Sequence, residues 1–339
     1  MASPERDPDH IYSVAQISQD LTGCPFSKQG KNVTFAGTNS DNMKKYLAIL
    51  SLITTLLLAA CAETSRPESN TFSVSILPLR NIVEEIVGDD FEIDVLVPPG
   101  ASPETFEPTP KQFMKLNQAR LVFNVGLIDF ETTLLDKLEN QEKVIDLSRG
   151  IRLIEGSCSH AKHPEEAQNG SSQAHHHAHA HGIDPHVWTS PKTLQIMAKN
   201  AYEAIREQFP DSAKYAANYD RLIEKLQELD IRTREKIDRS GVGYFIVYHP
   251  ALTYYARDYG IRQVAIESEG KEPSARQLGE IIRNARRDGV NKIFYQNQFP
   301  QSVGEIIARD INARYIEIDP LAEQVIDNID RITDLITEP

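Results

Sequence analysis

The stretch DSAKYAANYDRLIEKLQELDIRTREKIDRSGVG, residues 211–243, decides the fold. Ala216, Tyr219, Ile223, Leu226, Leu229, Thr233 and Ile237 recur three or four positions apart, the period of one helix face. Asp211 reads as the cap, and the helix runs to about Arg239, with Gly241 and Gly243 as its stop. At 1.5 Å per residue such a helix is on the order of 40 Å long, enough to cross two lobes. Immediately before it, Pro191–Gln208 reads as another helix, ended by Pro210.

On either side the pattern changes. Short β-rich runs read as strands at Thr71–Leu77, Phe91–Val97, Leu121–Val125, Tyr244–Tyr248, Gln263–Ile266, Lys292–Tyr295 and Tyr315–Ile318. Helical stretches such as LRNIVEEIVG, PKQFMKLNQA, SARQLGEIIRNARRDG and VGEIIARDI separate them. Strand alternating with helix means parallel sheets covered by helices. The expected fold is therefore α/β: two lobes, each a parallel-sheet α/β sandwich, joined by one long rigid helix, with an inter-lobe cleft as the place for a site. The N-terminal lobe is placed at 71–209, the linking helix at 210–240 and the C-terminal lobe at 241–339.

Within the first lobe, GSCSHAKHPEEAQNGSSQAHHHAHAHG, residues 156–182, is polar and has no apolar side chain larger than Ala apart from Cys158. Nothing in it offsets the entropy of ordering the backbone, so it reads as a flexible loop.

The amino-terminal part has a different character. From Met43 runs MKKYLAILSLITTLLLAAC: two lysines, an apolar run from Tyr46 to Leu58 broken by Ser51, Thr54 and Thr55, small residues, then Cys61. Residues 43–60 read as a secretory signal peptide. The run is too short for a span, which takes roughly 20 apolar residues. LAAC resembles the bacterial lipobox, which implies that Cys61 carries lipid and anchors the chain to the outer face of a membrane. Residues 1–42 read as a disordered start-site extension, and 61–70 as a linker after the lipidated Cys61. With Cys24 in the extension and Cys61 spent on lipid, only Cys158 remains, so no disulfide is expected in the mature chain. The net charge of −13 argues against a nucleic-acid partner, which requires basic patches.

Ten histidines are present. His10 lies in the extension; His160, His163, His175, His176, His177, His179 and His181 lie in the loop; His186 and His249 have structure around them. His249 ends a strand in YFIVYHPAL, and Asp319 ends another in YIEIDPL; in open parallel sheets ligands bind outside the carboxyl ends of strands. Glu104 follows the strand at 91–97 through a PPG turn, and His186 opens a helix after Asp184 and Pro185. Each residue alone has a structural alternative: a hydrogen-bonded core histidine, or a turn-forming aspartate before proline. Together they form a set of imidazole nitrogens and carboxylate oxygens suited to a divalent ion. Trp188, Tyr254, Tyr255 and Tyr295 read as packing or cleft walls. Glu267, Glu269 and Glu272 fit either support of a ligand histidine or an exposed acidic loop, and Arg283, Arg286 and Arg287 read as solvated.

VPPGASPETFEPTP (97–110), IDPHVWTSPK (183–192), VYHPALTYYARDYGI (247–261) and IEIDPL (316–321) resemble the four ligand motifs of the zinc-uptake, ZnuA-like solute-binding lipoproteins of ABC transporters, the metal-binding or TroA-like cluster. The resemblance runs from about residue 70 to the C-terminus and includes the histidine loop. It implies that His186, His249 and Asp319 ligate the metal, that the protein is a monomer and is not an enzyme, and that it delivers its ion to an ABC permease with a cytoplasmic ATPase. Where the family motif reads SPH this chain reads SPE, so Glu104 stands in the place of the first histidine. Manganese-binding relatives also use two histidines and two carboxylates. His249 and the clustered loop imidazoles favour Zn²⁺ as the transported ligand, with Mn²⁺ or Fe²⁺ as the alternative. The loop histidines are read as an auxiliary metal collector, with a purely solvated tract as the other reading. Two rival functions remain at this level: a zinc-dependent hydrolase, for which no HExxH signature is present, and a surface adhesin.

Overall fold

The computed structural model describes Lys45 and residues 69–156, 182–267 and 271–338. The extension 1–42, the signal peptide apart from Lys45, the lipidation site Cys61, Cys158, the seven loop histidines and Glu269 lie outside the described residues.

Eight short strands form two four-stranded parallel sheets among the described residues. In the first lobe the strands are β1 (Thr71–Val74), β2 (Glu92–Val95), β3 (Leu121–Asn124) and β4 (Val144–Asp146), in the order β2-β1-β3-β4. The second lobe repeats that order with β5 (Tyr244–Val247), β6 (Arg262–Ala265), β7 (Lys292–Tyr295) and β8 (Arg314–Glu317), arranged β6-β5-β7-β8. Parallel strands covered on both faces read as continuous apolar runs, and β3 is buried at every position. The sequence reading gave seven of these strands and missed β4, whose three residues carry only two apolar side chains.

Helices α1 (Leu77–Val87), α2 (Pro110–Gln118) and α3 (Asp129–Leu135) accompany the first sheet, and α6 (Thr253–Tyr259), α7 (Ala275–Arg287), α8 (Ser302–Ile311) and α9 (Val325–Thr337) the second. Between them stand α4 (Pro191–Gln208) and the linking helix α5 (Ala213–Ser240). Ser212, not Asp211, caps α5: its hydroxyl accepts from the Tyr215 N–H. Gly241 ends it in the left-handed region (φ 66°), which a side chain would resist. The face of α5 that is buried is Tyr215, Leu222, Leu226, Leu229, Thr233 and Ile237, whereas Ala216, Tyr219 and Ile223 are half-buried at its margin.

Helix α5 packs against α1 of the first lobe, α9 of the second, and α4. One apolar core consequently runs through both lobes, from Phe72 and Phe123 through Leu194 and Leu226 to Phe245, Tyr255 and Ile329. A smaller cluster of Ile246, Tyr248, Ile266, Ala285, Ile293 and Ile307 lies on the other face of the second sheet. Polar ties also join the lobes. Trp188 Nε1 donates to the Pro320 carbonyl at 2.9 Å, Tyr254 Oη to the Asp184 carbonyl at 2.7 Å, and Ser190 Oγ to Asp258 Oδ2 at 2.5 Å. Arg80 pairs with Glu323 at 2.9 Å. Trp188, Tyr254 and Tyr255 are indeed packed side chains, at 1%, 0% and 0% exposure.

Candidate metal centre

The carboxyl ends of the two sheets meet the seam between the lobes, and the site is assembled there from the residues that follow individual strands. In the second lobe each strand contributes one: His249 after β5, Glu267 after β6, Gln296 after β7 and Asp319 after β8. From the first lobe come Glu104, in the loop after β2, and His186, ahead of α4.

His186 is buried and its ring is fixed by Asp184, two residues earlier. One Asp184 oxygen, Oδ1, accepts from the His186 main-chain N–H at 2.9 Å and lies 2.8 Å from ring Nδ1. Asp184 itself is fully buried, so its carboxyl depends on protein partners in place of water. His249 repeats the arrangement: Nδ1 lies 2.7 Å from Oε1 of Glu267, which is 6% exposed. Gln296 accepts from the His249 N–H at 3.2 Å and donates to its carbonyl at 2.8 Å, while Phe299 stacks on the imidazole with ring centroids 4.3 Å apart. Committing Nδ1 of each ring to a carboxylate leaves Nε2 of each facing the cleft.

Those two Nε2 atoms are 3.2 Å apart, and Glu104 Oε1 lies 3.2 Å from Nε2 of His249 and 3.9 Å from Nε2 of His186. Glu104, His186 and His249 thereby form a group of potential metal donors lying within 4.8 Å of one another. Around a tetrahedral zinc ion with bonds near 2.0–2.1 Å, neighbouring donor atoms are about 3.3 Å apart. The three observed separations bracket that value. Burial by itself lowers the His249 pKa, but hydrogen bonds and charge from Glu104 and Glu267 reverse this and push it up to about 9.

Asp319 stands outside the three-donor group. Its Oδ1 accepts from the Leu321 N–H at 3.0 Å and from Gln298 Nε2 at 3.1 Å, and its carbonyl accepts from Asn328 at 2.8 Å. The cavity around the donors is walled by Pro103, Ile128, Pro185, Phe299, Pro320 and Leu321, apolar groups that limit water. Glu267, left undecided between support and exposed loop by the sequence, supports His249; Glu272 is exposed. Asp184 was noted from sequence only as a neighbour of His186, and Gln296, Gln298 and Phe299 were not singled out. An Asp two positions before a His is a legible cue for the first, but loop glutamines carry none.

Two parallel-sheet lobes sharing one core, with paired imidazoles and a carboxylate gathered where they meet, define a metal-binding receptor of the two-lobed α/β class. The family described as zinc-uptake complex component A, periplasmic, matches residues 73–337, and the chain belongs to it. It is 32% identical over 272 residues to the high-affinity zinc uptake system protein ZnuA of Bacillus subtilis (strain 168), covering 76% of this chain and 83% of that protein. It is 26% identical to the zinc-binding lipoprotein AdcA of Streptococcus pneumoniae (strain ATCC BAA-255 / R6), where the match covers 82% of this chain but only 56% of the longer relative. A crystal structure of ZnuA superposes with a TM-score of 0.69 at 31% identity, covering 79% of this chain and 98% of that one. Among the described residues no helix is long and apolar enough to cross a membrane.

Proposed function

We propose that this chain captures a divalent metal ion outside the cytoplasm, Zn²⁺ in the first place, and delivers it to the permease of an ABC transporter driven by a cytoplasmic ATPase. The ligands are Glu104, His186 and His249, with Asp319 closing as the fourth. The observation that carries this reading is the set of separations of 3.2, 3.2 and 3.9 Å among three donor atoms, with both imidazoles oriented by buried carboxylates. Two carboxylates would cancel the charge of a divalent ion and lower the penalty of burying it. The protein acts on the ion by binding and release alone, without catalysis. It works as a monomer held to the outer face of a membrane by lipid on Cys61, with 71–209, 210–240 and 241–339 as first lobe, linking helix and second lobe. The loop histidines His160, His163, His175, His176, His177, His179 and His181 serve as an auxiliary collector.

A second reading, a manganese or iron receptor, is favoured by one feature: Glu104 supplies a hard oxygen where a histidine would supply nitrogen. Competitive titration of the purified protein with Zn²⁺, Mn²⁺ and Fe²⁺, with elemental analysis of the bound fraction, separates the two. Zinc retained against the other ions, and weakened in Glu104→Ala, is the expected result. Unchanged zinc affinity in Glu104→Ala removes that residue from the site, and preferential retention of manganese replaces the zinc assignment.

A further inference from the structure

The segment between β7 and α8, Gln296-Asn297-Gln298-Phe299, reaches both of the donors that the second lobe brings to the cleft. Gln296 is 2% exposed and clamps the main chain of His249 in both directions, accepting at 3.2 Å and donating at 2.8 Å. Phe299 lies nearly flat on the same imidazole, at an interplanar angle of 14°. Between these two, Gln298 turns the other way and donates from Nε2 to Asp319 Oδ1 at 3.1 Å. Gln296, Gln298 and Phe299 all line the cavity that contains Glu104, His186 and His249.

We propose that Gln298 is a positioning residue for Asp319, holding its carboxylate so that Oδ1 stays hydrogen-bonded to the protein and Oδ2 is the atom offered to the ion. The inference rests on the reading of Asp319 as the fourth ligand. It follows the division of labour at the two histidines, where Nδ1 of each ring is committed to Asp184 or Glu267 and Nε2 faces the cleft. With Oδ1 occupied by Gln298 and by the Leu321 N–H, the carboxylate cannot swing into a two-oxygen grip. A one-oxygen grip keeps the ion four-coordinate, the number zinc prefers; a two-oxygen grip raises the number towards what manganese accepts. Because Gln296 and Phe299 belong to the same four residues, the segment also sets Asp319 relative to His249. Outer hydrogen-bond partners of metal ligands change affinity by about 10–100-fold when removed.

The test is a double-mutant cycle on the purified protein, measuring zinc and manganese dissociation constants for the wild type, Gln298→Ala, Asp319→Ala and the double variant. Zinc is expected to weaken by about tenfold in Gln298→Ala, manganese by less, and the double variant is expected to match Asp319→Ala alone. The visible bands of bound Co²⁺ should lose the intensity of a four-coordinate site in Gln298→Ala while the metal-free melting temperature stays put. If Asp319→Ala weakens zinc but Gln298→Ala does not, or Gln298→Ala weakens it equally in the Asp319→Ala background, the positioning role is overturned and the ligand assignment stands. If Asp319→Ala leaves zinc affinity unchanged, the ligand assignment fails and the positioning role falls with it.

Discussion

His249 illustrates how a single ring is prepared for a cation. With its pKa lifted to about 9, it is protonated in the metal-free protein at neutral pH, whereas an imidazole ligand must be neutral. Zinc therefore displaces a proton, and apparent affinity should rise about tenfold per pH unit as pH climbs towards 9, then level off. Titrations from pH 7 to 10 in buffers of different ionisation enthalpy read both the slope and the released proton. The sign for folding is opposite. The raised pKa stabilises the metal-free fold fully below the unfolded value near 6.5, and this stabilisation is lost as pH rises through about 9. Asp184→Asn and Glu267→Gln remove the anionic partners of the two Nδ1 atoms and should each weaken zinc by about 10–100-fold, measured by chelator competition. His186 and His249 were legible in sequence because a proline and a strand end mark them. Gln296 and Gln298 were not, since a glutamine's role depends on what the fold places 3 Å away.

At the scale of elements, α5 was readable because its apolar residues keep a helical period over many turns, yet in its first turns the buried face departs from the sequence stripe. Tyr215 and Leu222 are buried where Ala216 and Ile223 were expected, while Leu226, Leu229, Thr233 and Ile237 are buried as the stripe predicts. Leu226→Ala, at 0% exposure, should lower unfolding stability by about 2–5 kcal/mol in denaturant titration, while Ile231→Ala, 59% exposed on the same helix, should change it by about 0.5 kcal/mol or less. Strand β4 escaped notice through its brevity, and a second device was hidden with it. The buried Lys143 just before β4 donates from Nζ to the carbonyls of Leu116, Asn117 and Ala119, closing the end of α2. Lys292 at the start of β7 does the same for α9 through Leu335 and Ile336. Burial pushes both lysine pKa values down. Replacing Lys143 with Met removes the charged donor shared by these three carbonyls and should reduce stability by about 1–3 kcal/mol, read from the thermal midpoint.

Across the whole molecule, the common core and the Trp188–Pro320 and Arg80–Glu323 ties resist a wide opening of the lobes. Small-angle scattering should accordingly give the same radius of gyration with and without zinc. Trp188, the sole tryptophan, is buried 5.2 Å from the His186 ring and bonded to the residue after Asp319. Its fluorescence should respond to zinc with the same midpoint as direct titration. The nitrogen and oxygen donors of the proposed site differ in how they are mounted. Both imidazoles stand on buried carboxylates, and His249 ends a strand gripped on its two faces by separate apolar clusters. Glu104, exposed, and Asp319, half-buried, ride on loops. On the proposed ligand set, a partner that draws the ion out is expected to peel away the oxygens first, leaving it on two nitrogens as the last foothold.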